Sequence, residues 1–580
     1  MTKHISIATK RNFDKLNKDL SSHKFISRAN KLDSKKTIIP IEYYSNIENV
    51  SKINSIIDEI GNNDISLIID NLIISLFKRE NLVYFDDDTI KSRYQYVQEF
   101  VSELKYEKNL SSVELPIDEC DPIGIVYQQI ISEGEKNKKG SYYTPKSIVN
   151  TLLNVKNKKD DVFCDPCCGT GMFLMKALET FKPENIFGYD IDHIAVKIAR
   201  ANMFLKFPNV NYVNNIQCCN FLTLNKNKKF NYIITNPPWG SYNNSNESKE
   251  FSCVTSNESF SYFIEHSLRH LLPDGILHFL LPISILNVKL HSDIRKIIVD
   301  NYKIEEINIF GKCFKGVLTD VVSLKLSTKF LDEYSYKISN QYGKTMETPI
   351  SFVRANNNYN ILLLNTIDIP ILNKICKKEC VYLSEAKFAL GIVTVNNQNQ
   401  LKNCLTENLR PIITGKEVQK YYMKDAKYFI EYNRRNFQQV CADTFFEADS
   451  KFIYKFISRK LVFALDEEKT LTLNTANIML VPKDFKLSKY VLLAILNSDI
   501  LNYYFIKMIN QVKVLKEHIQ NLPLPLLPIE IQDTIEKMVI NIIKNKSDSY
   551  ESVEQLLFSY YNFSLEEIQR IKEVVYGRID

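Results

Sequence analysis

The sequence predicts an α/β fold in which an open, mostly parallel sheet binds its ligand at the carboxyl ends of its strands. Three observations carry that expectation. Four buried-strand signals follow one another up to Thr235, and polar residues stand at their ends: Asp165, Asp190, Asn220 and Asn236. The first strand runs into Asp165-Pro166-Cys167-Cys168-Gly169-Thr170-Gly171, where two glycines permit a tight turn and close approach of a ligand to the backbone. Asp190 follows Asp165 by twenty-five residues, about where βαβ geometry places an acid on ribose hydroxyls.

At 580 residues the chain predicts about three domains. The spacing of motifs places them at 1–115, a basic arm and helical segment; 116–345, the α/β domain; and 346–580, a mixed α+β domain. Hydrophobic content of 45% and charged content of 24% are those of a soluble globular protein. No apolar run reaches the ~18 residues of a membrane span, and Met1 to Arg11 lack the apolar core of an export signal, so a cytoplasmic protein is expected. The net charge of +6 leans mildly toward polyanions. Twelve cysteines form no regular framework, and Cys376 and Cys380 lack a second pair, so neither disulfides nor zinc are expected.

Residues 1–36 hold ten Lys/Arg against three Asp/Glu, which suits either a basic arm for nucleic acid or a solvated tail. Ile53, Ile56, Ile57 and Ile60, then Ile65, Ile68, Ile69, Leu72, Ile73 and Leu76, recur at helical spacing. Asp86 to Asp88 with Glu103-Leu104-Lys105 mimic the Asp…Glu-x-Lys metal site of restriction nucleases. That site needs a strand, and Tyr96 to Lys105 reads as helix, which argues against cleavage. Asp121-Pro122-Ile123-Gly124 then opens a helix. Gly140-Ser141-Tyr142-Tyr143-Thr144-Pro145 leads into another, with Thr144 expected as N-cap.

The glycine turn lacks the third Gly of a dinucleotide fingerprint and the Lys-Ser/Thr of a phosphate loop, which disfavours NAD and ATP. The fourth strand ends in Asn236-Pro237-Pro238-Trp239. Two prolines stop the ladder and leave a stiff loop. An Asn amide oxygen and a proline carbonyl can together accept both hydrogens of a primary amine on a flat ring, and the Trp can stack on that ring. Ile191 can cover an adenine face. An adenosine ligand without phosphate, beside an amine-gripping loop, points to S-adenosylmethionine. Pro166-Cys167 imitates the nucleophile of cytosine-C5 methyltransferases, but that thiol belongs after the fourth strand, where Asn236 stands.

In this order the motifs resemble those of the γ-class DNA adenine-N6 methyltransferases, found in type II and type IIG enzymes and in type I modification subunits. The resemblance spans roughly Asp121 to Leu326 and includes Asp274-Gly275, Leu281-Pro282 and a Phe314 to Leu326 hairpin. It implies a Rossmann-like methyltransferase sheet with an antiparallel final hairpin. It implies cofactor contacts by Tyr143, Thr144, Asp165, Cys167, Gly169, Gly171, Asp190, Ile191, Asn220 and Phe221. Asn236, Pro237, Pro238 and Trp239 would form the catalytic loop, with Trp239 and Phe314 stacking a base flipped from double-stranded DNA. Two departures stand out. The family usually has Asp at position 220, and Tyr or Phe at position 239.

From about Thr348, Ile412 to Val418, Leu496-Asn497-Ser498, a helix over Tyr490 to Ile506, and Leu522-Pro523-Leu524-Pro525 resemble the target-recognition domain of type IIG and TaqI-like enzymes. Lys416, Arg434, Arg435, Lys513 and Lys516 are candidate phosphate contacts. The expected partners are double-stranded DNA and a cognate restriction endonuclease. Other targets stay open: cytosine-N4, where Ser is commoner than Asn at position 236, or an RNA or protein amide. So does a silent or partner-dependent modification subunit.

Overall fold

The computed structural model describes residues 44–577 except 61–63, 88, 109–112, 117–118, 132–142, 226, 242–252, 315–318, 341–342, 357 and 548–549. The basic arm, Asp88, and the Gly140, Ser141 and Tyr142 positions thus lie outside the described residues. The chain divides into two compact units. One comprises Met1–Ile285, Lys296–Asp332 and Ser339–Gly343; the other comprises Leu286–Arg295, Glu333–Ile338 and Lys344–Asp580.

The first unit begins with helices α1 (Glu48–Ile60), α2 (Ile65–Arg79) and α3 (Gln95–Val101). Asp64 caps α2 by accepting from the Leu67 N–H, and the predicted stripe of Ile68, Ile69, Leu72, Ile73 and Leu76 is buried. That stripe shares one hydrophobic core with Phe163, Val196, Ile198 and Phe204 of the α/β part. Helix α3 stops at Val101, so Glu103 to Lys105 lie past its end, and the Lys105 N–H donates to Asp70 Oδ2 at 3.0 Å. No strand carries that triplet, so the nuclease-like spacing has no matching structure. Among the described residues no group of three His, Cys, Asp or Glu could hold a metal ion.

Helices α4 (Pro122–Ile130) and α5 (Lys146–Leu152) precede the sheet. Its nine described strands include β1 (Phe163–Asp165), β2 (Ile186–Asp190), β3 (Ile216–Cys218), β4 (Phe230–Thr235), β5 (Leu271–Pro282), β6 (Lys303–Gly311) and β7 (Val321–Ser327). They lie in the order β3-β2-β1-β4-β5-β7-β6. The pairs from β3 through β5 are parallel, while β7 runs antiparallel to both β5 and β6. Chain direction across the sheet reverses between β1 and β4, and open α/β sheets bind ligands outside the carboxyl ends of the strands at that point. The hairpin predicted from Phe314 therefore has β6 as its first strand, and Phe314 falls in the loop after it.

Helix α6 (Met172–Ala177) leaves the glycine turn, and α7 (His193–Phe204) links β2 to β3. Asp192 caps α7 by accepting from Ile194 and Ala195 N–H. Lys197 of α7 pairs with the buried Asp70 of α2 at 2.5 Å, tying the helical segment to the α/β core. Helix α8 (Ser259–Arg269) follows β4.

His278 lies wholly inside β5. Its Nδ1 is 3.0 Å from the Leu152 carbonyl, and its Nε2 is 2.9 Å from Ser323 Oγ. Burial, with Lys325 adding to it, pushes the ring's pKa down to about 3, so the folded protein holds it neutral. The unfolded chain takes up that proton near histidine's ordinary value of 6.5, so this ring contributes stability above that pH and loses it below. Between pH 6.5 and 4.5, urea unfolding of the wild type should lose up to about 1.4 kcal/mol per pH unit more than His278→Gln. Parallel pH dependences in the two proteins would contradict this assignment.

The second unit holds two main sheets. Its strands are β8 (Lys387–Ala389), β9 (Leu409–Ile413), β10 (Tyr428–Glu431), β11 (Lys451–Lys455), β12 (Phe463–Asp466), β13 (Leu471–Thr472) and β14 (Ala476–Leu480). They form sheets ordered β8-β14-β11-β12 and β10-β9-β13. The helix predicted over Tyr490 to Ile506 is broken into α9 (Lys489–Asn497) and α10 (Asp499–Tyr504). Ser498 breaks it by adopting extended backbone and capping α10 at the Leu501 N–H. Asn497 donates to the Phe463 carbonyl and accepts from its N–H, both at 2.9 Å, so its amide pairs with β12 as another strand would. The Leu496-Asn497-Ser498 motif is therefore scaffold. Helices α11 (Ile529–Asn545), α12 (Glu551–Tyr561) and α13 (Leu565–Tyr576) complete the core of this unit.

Candidate active site

The site is built at the β1/β4 reversal. Asp165 ends β1 fully buried. Its Oδ1 accepts from the Cys167 N–H at 3.0 Å and from Thr235 Oγ1, the last residue of β4, at 2.6 Å. One carboxylate thus spans the two strands at the reversal. Its Oδ2 is buried with no hydrogen-bond partner. Burial raises its pKa to about 7 despite the Thr235 and Cys167 hydrogen bonds. A buried, unmatched carboxylate oxygen is costly to leave unfilled, so this corner suits a ligand bringing N–H or O–H donors or positive charge.

The turn that follows is held from behind. Gly169 (φ +50°) and Gly171 (φ +95°) take left-handed backbone, and the residue between them is fixed by Asp121. That fully buried carboxylate accepts from the Gly124 N–H at 2.9 Å, from Thr170 Oγ1 at 2.6 Å and from Asn202 Nδ2 at 2.8 Å. Asn202 also donates to the Thr170 carbonyl at 3.0 Å. A Cβ on Gly124 would meet Asp121 Oδ2 at 2.0 Å, so only glycine lets the cap close. The sequence marks Asp121 as a helix start; its two long-range partners are not visible there. A Cβ on Gly171 would come within 3.2 Å of Ala199 in α7, so turn-to-helix packing demands this glycine as well as its backbone angle.

At the end of β2, Asp190 accepts from the Gly169 N–H through Oδ2 and from the Asp192 N–H through Oδ1, both at 2.9 Å. Burial raises its pKa, partly offset by these two bonds. Ile191 beside it is 71% exposed, an apolar surface at the strand ends of the kind an aromatic ligand face covers. Asn220 caps a short 3-10 turn, its Oδ1 accepting from the Leu222 N–H at 3.1 Å. Tyr143 donates its hydroxyl to Met172 Sδ at 2.9 Å.

Two expected contacts are corrected. Phe221 is 1% exposed, stacked on Phe263 and edge-on to His266, so its ring is core and has no face for the cofactor. Phe314 is buried and meets Trp239 edge-to-face at 5.4 Å and 83°. Rings in direct perpendicular contact cannot sandwich a base between them, so in this state Phe314 buttresses Trp239. Cys167 is no nucleophile here: burial, with Asp190 and Asp165 nearby, pushes its thiol well above the usual range.

Asn236 to Trp239 leave β4 as an irregular loop, with Pro237 buried. The Asn236 amide donates from Nδ2 to Thr144 Oγ1 at 3.2 Å. Trp239 donates from Nε1 to the Leu280 carbonyl of β5 at 3.3 Å. The loop beyond is pinched at its base by a bridge between Ser241 and Glu258 and by the Ser259 N–H on the Gly240 carbonyl at 2.8 Å.

In the second unit the Thr414-Gly415-Lys416-Glu417 turn follows β9. Glu417 accepts from the Thr414 N–H at 2.9 Å and its hydroxyl at 2.6 Å, and the Gly415 N–H donates to Thr475 Oγ1 at 3.0 Å. This rigid turn presents Lys416 to solvent; Arg435, Lys513 and Lys516 are exposed too. Arg434 is engaged within the fold, paired with Asp443 at 2.5 Å and donating to the Cys441 carbonyl at 2.8 Å, so it closes its own loop.

A buried acid, a two-glycine turn and an Asn-Pro-Pro-Trp loop thus stand at the carboxyl ends of strands ordered 3-2-1-4-5-7-6. Comparison with known proteins identifies the class. The N-6 DNA methylase pattern matches residues 118–330, and the TaqI-like C-terminal specificity domain matches 410–529. The type II methyltransferase M.VspI of Vibrio sp. (strain 343) is 32% identical over 58% of this chain and 87% of its own length. M.CvrRI of Paramecium bursaria Chlorella virus XZ-6E is 26% identical over 39% of this chain and 58% of its own. In fold, the type IIL restriction-modification enzyme MmeI, solved with DNA, matches 93% of this chain and 99% of that one, with a TM-score of 0.57 at 12% identity. The chain belongs to the N-6 DNA methylase family. It is a site-specific adenine-N6 DNA methyltransferase with a TaqI-like specificity domain.

Gly171→Ala should strain the left-handed turn and crowd Ala199, lowering stability by about 1–3 kcal/mol in chemical denaturation. Asp190→Ala should weaken S-adenosylmethionine binding in calorimetry by about tenfold or more, the scale of losing a charged hydrogen-bond partner. An unchanged affinity would remove Asp190 from the site.

Proposed function

We propose that the chain binds S-adenosylmethionine along the carboxyl ends of β1, β2 and β3. There it methylates the N6 of an adenine turned out of the duplex. The observation that carries this reading is the Asn236 amide, fixed through Nδ2 at the β1/β4 reversal beside a buried Asp165 oxygen that needs a donor. The donor set fits the cofactor. Asp165 Oδ2 accepts from its cationic methionine end, Asp190 from the ribose hydroxyls and Asn220 from the adenine amine, while Ile191 covers the adenine ring. Tyr143, Thr144, Cys167, Gly169 and Gly171 line the rest. When bound, the cofactor supplies a methyl group on a sulfonium, which departs as a neutral thioether.

The protein's own work is then to hold and orient. Asn236 Oδ1 and the Pro237 carbonyl accept the two N–H groups of the adenine amine, concentrating its lone pair toward the methyl group. Pro238 keeps the loop stiff, and Trp239 offers its face to the base while its own N–H is held by Leu280. The nucleophile is the substrate nitrogen, which loses a proton to solvent once methylated, so no enzyme thiol is required, in keeping with the half-buried Cys167, whose thiol is pushed well above the usual range. An amine inside a duplex is out of reach, so the base must leave the stack. Residues 346–580 serve target recognition, with Lys416, Arg435, Lys513 and Lys516 on phosphates and DNA affinity falling steeply with salt.

Asn236→Ala removes one of two acceptors in a nearly dry pocket. Its single-turnover methylation rate on unmodified DNA should fall on the order of a hundredfold or more. Affinities for S-adenosylmethionine and for DNA should stay within a few-fold of wild type, since their contacts lie elsewhere. Near-wild-type turnover would refute the amine-gripping mechanism.

A further inference from the structure

The Thr144 hydroxyl has a partner that its sequence position does not announce. Thr-Pro before a helix predicts a side-chain N-cap, yet the cap of α5 falls on Pro145 (φ −56°, ψ 140°) and no side chain caps this helix. The hydroxyl, 6% exposed, faces another element instead. It accepts from Nδ2 of Asn236 at 3.2 Å, across 92 residues of chain. The two ends of an asparagine amide are nearly identical in shape and opposite in hydrogen bonding, so the partner at one end decides what the other presents. The residue before Asn236 is pinned as well, through Thr235 Oγ1 on Asp165 at 2.6 Å.

We propose that Thr144 is a positioning residue for methyl transfer: by accepting from Nδ2 it turns the Asn236 carbonyl oxygen toward the target amine. This rests on the reading that Asn236 grips adenine N6. A flipped amide would present N–H groups to an amine that itself needs acceptors, and the two donor sets would repel. Thr144 lies on the segment expected to line the cofactor crevice, so the same residue ties the amine grip to the cofactor side of the site.

The test uses the full-length chain, tritiated S-adenosylmethionine and unmethylated phage DNA under single-turnover conditions. Thr144→Val keeps the shape and removes the hydroxyl. Its rate at saturating S-adenosylmethionine should fall on the order of tenfold through loss of orientation, and calorimetry measures separately any loss of cofactor affinity, since Thr144 also lines that site. Thr144→Ser restores the hydroxyl and should return the rate to within about threefold of wild type. In an Asn236→Ala background no amide remains for Thr144 to orient, so adding Thr144→Val there should cost less than about threefold at saturating cofactor. An unchanged circular dichroism spectrum reports that Thr144→Val is folded. The proposal is overturned if Thr144→Val methylates at near the wild-type rate, if its deficit vanishes at saturating cofactor, or if the full deficit persists in the Asn236→Ala background. If the wild type methylates no adenine, the reading of Asn236 itself falls and takes this proposal with it.

Discussion

A carboxylate with no counter-charge in the protein interior must be hydrogen bonded on every side it can be, and Asp121 meets that demand from three elements at once. It caps α4, holds Thr170 between the two left-handed glycines, and takes an N–H from α7. Together with Asp190 on the Gly169 N–H and Asp165 on the Cys167 N–H, this group fixes the geometry of the glycine turn. The helical segment before the sheet gains a role from this: it carries the anchor of the ligand turn, reinforced by Lys197 on Asp70 and by Tyr127 on Asp192 at 2.8 Å. Its apolar stripes supply the packing that keeps the anchor dry.

From that turn the constraint passes across the sheet. Asp165 joins β1 to β4 through Thr235, and Asn236 starts where that bond ends. In the proposed mechanism, donor site and acceptor grip thus meet on neighbouring strands with few soft torsions between them. Positioning is the main catalytic resource for a reaction whose driving force resides in the methyl donor, so a rigid frame is well matched to it.

Much of this was legible in the sequence because the signals are local. Strand ends in Asp165, Asp190 and Asn236, the two-glycine turn, and the stripe of Ile68, Ile69 and Leu72 depend only on neighbours along the chain, while the antiparallel end of the sheet was expected from the family resemblance alone. What escaped depends on groups far apart in sequence. Thr144 is a cap by local rules and an amide partner in space. Gly171 reads as ligand clearance, yet its contact is Ala199. Phe221 and Phe314 look like available aromatic faces, and burial against Phe263 and Trp239 withdraws them. Helix α9 ends where Ser498 prefers to begin another helix, a competition that apolar periodicity cannot register.

Trp239 is the chain's single tryptophan, and it stands in the substrate loop. Half-buried, hydrogen-bonded to the Leu280 carbonyl and in edge contact with Phe314, it stands where the proposed mechanism brings the base. Excited at wavelengths that its 32 tyrosines do not absorb, the 580-residue chain therefore emits from this loop alone. Wavelength and intensity then become a native, label-free optical gauge of that loop, sensitive to whatever approaches the indole.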